Sequence, residues 1–294
     1  MEPQENIWHL PVGCTHEVAA SAALLSFVGG AGDFDHQGQV RSPGDYGGQI
    51  KGAIKNVGSA LTQENCSLAD IIRVKAFVQL SEEVGETEAV EMLLDALPDS
   101  PAPVISIVPV EMQPFPQQKV QIQAIAKRGW REEECQFDTS PLDLARAGKS
   151  PTVTRVLRAG EFIAASNRTA AHFGTGFEGG MAGEDQSHAI MTSLNNDLKS
   201  VGATLQDAIK MEGYYWGTTR EQWTPLAKAR ASYFAEPGPP ATVIPCHLGE
   251  HDQTVTRVGV LAMRERRNSY NKYIPREDAW PVSYTHLRAH ETDS

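Results

Sequence analysis

Apolar residues recur along this chain with two periods, and the switching between them defines the elements. Between Asp45 and Leu61, the residues Ile50, Ala53, Ile54, Val57 and Leu61 fall three and four apart. That spacing predicts an amphipathic helix with one face on a sheet. Ile71 to Val78 is β-branched and alternating, which predicts a strand. A second helical pattern spans Glu82 to Leu97, with Val90, Leu93, Leu94 and Leu97 inward, and Val104–Val110 and Lys119–Ala126 read as closing strands. Ahead of the first helix, Val18–Gly30 reads as two strands joined at a turn. The order ββαβαββ predicts an α+β domain whose two helices cover one face of a mixed sheet.

The pattern then starts again. Leu68 and Asp70 return as Leu205 and Asp207, 137 positions on. The hairpin around Val28 is matched to the one around Ser166, and Pro109 to Pro245, at nearly the same spacing. A period this long is a tandem of whole domains rather than a solenoid. The second copy predicts a hairpin over 153–166, helices over 186–201 and 222–234, a strand over 208–216 and a closing pair within 242–263. The expected division is a first domain over 1–128, a linker over 129–151, a second domain over 152–265 and a tail over 266–281. The linker loses periodicity and carries Arg131 and three consecutive glutamates, so it is expected to pack loosely. Val282–Thr292 resembles the in-frame translation of a sequencing adapter. Residues 282–294 are therefore set aside, and His286 and His290 leave any metal or catalytic reading.

Composition narrows the partners. The chain has 294 residues, 40% hydrophobic, with a formal net charge of −11. That size suits two ordinary domains. The negative charge argues against nucleic acid and against an anionic membrane surface. Four cysteines without C-x-x-C spacing read as thiols of a reducing compartment. With no leader at the start and no run of membrane length, a cytoplasmic location is expected. No His, Asp or Glu cluster has metal spacing, and no metal or other cofactor is expected. Gly29, Gly30 and Gly32 lack the G-x-x-x-x-G-K-[ST] pattern and suit a loop or strand end rather than a phosphate cradle.

The order of elements, with Leu68-x-Asp70-Ile-Ile, Phe77-Val78, Lys119–Ala126, Leu205-x-Asp207 and Pro239–Leu248, resembles the RidA/YjgF family of enamine/imine deaminases. The resemblance covers roughly 12–128 and 152–264. It implies two tandem YjgF-like domains and a homo-oligomer, typically a trimer. It also implies sites in clefts between adjacent domains, acting on a small-molecule substrate. In deaminase members an Arg ahead of a Ser/Thr on the penultimate strand grips the substrate carboxylate, as a guanidinium does well. Here the Ser/Thr stands as Ser106 and Thr242, but Ile105 and Ala241 precede them, and a shift in register lands on Pro103 or Pro239. The family's acidic residue on the last strand falls at Gln121 and Arg257.

The second copy carries other polar groups. Ser166 matches the family's pocket serine, and Arg168 follows on the same strand face. If Ser166, Arg168 and Arg257 converge with Thr242, an anion-binding cleft has been rebuilt. The alternative is that Arg168 and Arg257 are exposed strand residues paired with surface acids, as isolated strand arginines usually are. Cys246 reads as a buried small hydrophobe, His247 as a surface or interface histidine, and Thr15 and His16 fall where the family has a pocket-wall tyrosine. Tyr214, Tyr215, Trp216 and Trp223 fit either a filled core or a stacking site for a flat ligand. The reading reached is a small-molecule hydrolase or deaminase of the RidA/YjgF type acting at an inter-domain cleft. The alternatives are a non-catalytic ligand-binding or scaffold protein of the same fold and, lower, a chorismatase-like lyase.

Overall fold

The computed structural model describes residues 17–20, 25–98, 101–142, 151–172, 181–235, 238–246 and 254–264. The set-aside C-terminal residues, Thr15, His16 and His247 lie outside them. The chain divides into two compact units, residues 1–160 and 161–294.

The first unit runs β1 (Glu17–Ala20), β2 (Leu25–Ala31), α1 (Tyr46–Gln63), β3 (Ile71–Val78), α2 (Glu86–Ala96), β4 (Val104–Pro109), β5 (Val120–Lys127), β6 (Cys135–Pro141) and β7 (Thr152–Ala159). Five strands form a sheet in the order β1-β2-β5-β3-β4. Only β3 and β4 are parallel, because α2 lies between them in sequence and a parallel pair needs such a crossover. Helix α1 begins where the Asp45 carboxylate accepts from Gly48 N at 3.0 Å, satisfying one orphan donor of the first turn. It buries Ile50, Ala53, Ile54, Val57 and Leu61, the stripe its spacing predicts. Helix α2 starts four residues later than its apolar pattern, since Ser81 first closes a turn on Val84.

The segment expected to be a loose linker is not loose at its start. Trp130 is 0% exposed and donates from Nε1 to Ala69 O at 3.2 Å. Arg131 stacks on the same indole, 4.5 Å from its centroid, and donates to Ala69 O and Pro101 O. Asp70 joins the two parts. One carboxylate oxygen accepts from Ser67 N and Oγ, at 2.8 and 2.9 Å, and the other accepts from Gly129 N at 2.9 Å. Strand β6 then pairs antiparallel with β7.

The second unit contains β8 (Phe162–Arg168), α3 (Gly183–Ser200), β9 (Ala208–Tyr215), α4 (Arg220–Ala231), β10 (Ala241–Pro245) and β11 (Thr256–Met263). Its strand order, β10-β9-β11-β8, repeats β4-β3-β5-β2, and β9–β10 is again the parallel pair. Buried glutamines repeat as well. Gln49 accepts from Lys119 N at 2.6 Å, and Gln186, 137 positions on, accepts from Val255 N at 3.0 Å. In both units this carboxamide ties the first helix to the start of the last strand.

The strand registers set the correspondence residue by residue. Gln121 faces Phe77 as Arg257 faces Tyr214. Val28 faces Ala124 and Ala165 faces Val260. Val28 therefore corresponds to Ala165, and Ser166 corresponds to Gly29, one residue from the match read off the sequence. Both strands carry a β-bulge at the same place, so the offset of 137 holds on either side of it.

Candidate functional site

The sheet of the second unit has a side covered by its helices and an open side, which those helices leave uncovered and on which Arg257 and Tyr214 are nonetheless buried; the alternation of side chains assigns each residue to one of them. Arg168 lies opposite Val258 and reaches up to α3. Its guanidinium forms an ion pair with Asp197, donates to Ser193 Oγ at 3.0 Å and donates to Ser166 Oγ at 3.1 Å. Arg168 and Asp197 are both fully buried. Thr256 is on the same side, where its hydroxyl accepts from Arg230 of α4 at 3.0 Å. Ser166 and Arg168 thus come together on the helix-covered side.

Arg257 sits between Thr256 and Val258 and so points to the open side. The structure does not bring it to Arg168. Its cross-strand partner is Tyr214, and Tyr214 in turn pairs with Ile244. Two positions along β9, Glu212 pairs with both Gly259 and Thr242. Thr242 is exposed and accepts from Lys210 Nζ at 2.5 Å. Gly259 has a steric reason to be glycine: a Cβ there would collide with the carboxamide of Asn167, which lies across the strand. The open side therefore carries Arg257, Glu212, Thr242, Lys210 and Asn167 around Tyr214.

Arg257 is 1% exposed, and Cys246 lies close enough to feel its charge. Burial raises the Cys246 thiol to about 11, and the Arg257 cation works against that rise. The desolvated anion loses more than the nearby cation returns. Cys246 is a half-buried free thiol, as is Cys135, while Cys66 is buried.

Sequence reading singled out Arg257 and Thr242 but passed over Glu212, Lys210 and Asn167. A signal for Glu212 existed: it is the charged residue of AIKMEGYY that falls in phase with Tyr214. The first unit keeps the hydroxyl and differs around it. Lys75 pairs with Ser106 where Glu212 pairs with Thr242, Gln121 stands for Arg257, and Gly30 for Asn167. Among the described residues no group of three or more His, Cys, Asp or Glu is arranged to hold a metal ion, and no helix is long and apolar enough to cross a membrane.

Residues 15–128 match the family model described as Endoribonuclease L-PSP. A solved chorismatase is similar over 81% of this chain and 74% of its own, at 12% identity and a TM-score of 0.57; at that identity the likeness concerns the fold alone. The YjgF gene product of E. coli is similar over 42% of this chain and 95% of its own, at 20% identity and a TM-score of 0.36. A YjgF/YER057c/UK114 family member from Mycobacterium tuberculosis is similar over 40% and 87%, at 27% identity and a TM-score of 0.33. A search of curated proteins returned no match.

Proposed function

We propose that the chain is a tandem of two RidA/YjgF-type domains whose second copy is a hydrolase of C=N bonds in small carboxylates. One observation carries the reading: the registers of β9, β10 and β11 put Arg257, Glu212 and Thr242 on the open side of one sheet. The family's carboxylate-gripping Arg is absent at Ile105 and Ala241, and Arg257 takes its role from a different strand. Charge-assisted hydrogen bonds of this kind contribute roughly 1.5–3 kcal/mol each. Ser166 and Arg168 are engaged with Ser193 and Asp197, so their part is to hold β8 against α3 rather than to touch ligand.

In this reading Glu212 accepts a proton from a water as its oxygen attacks the imine carbon. The C=N π pair moves to nitrogen, and Glu212 passes that proton on to it, giving the carbinolamine. Glu212 then takes the carbinolamine O–H proton as the carbonyl forms and the C–N bond breaks, and delivers it to the leaving nitrogen. Imine and water become ketone and ammonia, with no oxidant and no cofactor. General-base catalysis of this type is worth about 10²–10⁴-fold.

Ammonia release from a 2-imino acid generated in situ tests the reading. Glu212→Gln should lower kcat with little change in KM. Arg257→Ala should raise KM by about tenfold to a hundredfold, and Gln121→Ala should do little. A wild-type rate in Glu212→Gln overturns the hydrolase. Carboxylate binding that depends on Arg257, without ammonia release above buffer, would make the protein a ligand-binding member of the fold.

A further inference from the structure

One end of the open side is within reach of solvent. A Cβ on Gly213 would meet the side chain of Val243 and the Arg230 guanidinium of α4, so Gly213 and Val243 point toward the helices. Their neighbours Glu212 and Thr242 therefore point the other way. Lys210 joins them there, because its ammonium donates to Thr242 Oγ. Lys210 and Glu212 are half-buried and Thr242 is exposed. Among the described residues no acid pairs with Lys210, and the Thr242 hydroxyl is the group its ammonium holds.

An ammonium has three donors and no acceptor, and a hydroxyl has one donor. With the Thr242 oxygen accepting from Lys210, the threonine proton is left to donate outward, and two ammonium donors remain beside it. Three donors and one positive charge at a single spot suit the two oxygens of a carboxylate. The first unit has no such spot. Arg73, Lys75 and Ser106 stand in the places of Lys210, Glu212 and Thr242, and all three are buried. A cation there replaces the glutamate, and the hydroxyl is closed to solvent. Reachable donors next to a carboxylate base are thus particular to the second unit.

We infer that Lys210 and Thr242 form a second anion subsite, and that the imine acted on is a dicarboxylate whose distal carboxylate they hold. The inference rests on the proposed hydrolysis with Glu212 as its base. Lys210 lies two residues before Glu212 on β9, and Arg257 faces Tyr214, two residues after it. Two residues of strand span roughly 6–7 Å. A base set between two cations in this way suits an imine carbon set between two carboxylates. The distal carboxylate reaches Lys210 and Thr242 from solvent with nothing displaced, since neither residue is buried.

Ammonia release from 2-iminoglutarate and 2-iminopentanoate, each generated in situ, tests it, because the two differ only in a terminal carboxylate against a methyl. Calorimetric titration of the full chain with glutarate and pentanoate makes the same comparison without chemistry. The dicarboxylate should be favoured about tenfold in kcat/KM and in Kd. Lys210→Met keeps the apolar stem without the charge and should bring both ratios close to one at an unchanged melting temperature. Lys210→Arg should keep most of the preference. A preference that survives Lys210→Met, or its absence from the wild type, overturns the subsite while leaving the Glu212 reading intact. A binding preference that depends on Lys210, with no ammonia released from either imine, supports the subsite and overturns the hydrolysis. Neither binding nor release with any of these acids overturns both.

Discussion

Two residues of the second unit, Arg168 and Asp197, form a buried ion pair where the first unit has Ala31 and Ala60, at the same offset that relates α1 to α3. Taking both charges from water costs several kcal/mol, and their attraction roughly offsets it. Removing one partner is therefore much worse than removing both. Arg168→Ala leaves the Asp197 carboxylate buried and should lose about 3–5 kcal/mol of stability. The double variant Arg168→Ala, Asp197→Ala restores the first unit's pair of small residues and should recover most of the loss. A denaturant series on the two single variants and the double measures the coupling, and additive losses would show that the pair is not a unit. Cys246 makes a pH prediction. Its thiol is raised from 9.0 to about 11 in the folded chain, so folding favours the protonated form. The unfolded chain releases that proton first, and the stabilisation is present below pH 9 and lost as pH rises from 9 to about 11. Thiolate absorbance of Cys246 should appear only near pH 11, later still in Arg257→Ala, where the opposing cation is gone.

At the level of elements, the apolar periods were enough to place both helices of each copy and the strands around them, because burial of one face forces the period. What they did not show were polar ties and irregularities. The glutamine brace is an example: Gln49 is fully buried yet reads in sequence as an ordinary polar residue ahead of a helical stripe. Gln49→Ala strips the acceptor from Lys119 N and Val120 N and should cost about 1–3 kcal/mol, read as a shift in denaturant midpoint. An unchanged midpoint would make the brace incidental. Trp130 and Arg131 escaped because an isolated Trp-Arg in a glutamate-rich stretch carries no period at all. The site was legible in part. Arg257 stood out as a departure from a family pattern and Thr242 as a match to it, whereas Glu212 shares the open side with them only once the pairing of three strands is known.

For the whole molecule, the edge strand β6 bears on assembly. It lies at the end of its sheet, its sequence CQFDTSP has no Lys or Arg, and Phe137 on it is exposed. Native edges are usually blunted by lysine, proline or a covering segment, because open N–H and C=O groups invite another strand. Here the defences are a bulge at Asp138–Thr139 and the terminal Pro141. Phe27 and Met112 add further exposed apolar surface in the same unit. Scattered exposed residues of this kind are ordinary singly, but together with an open edge they favour a partner. A homo-oligomer, expected as a trimer, should give a light-scattering mass that is a multiple of 32.0 kDa. Phe137→Lys places a charge on the edge and should lower that mass without lowering the melting temperature of the unit. A wild-type mass of one chain at micromolar concentration would rule the assembly out. A mass unmoved by Phe137→Lys would move the interface away from β6.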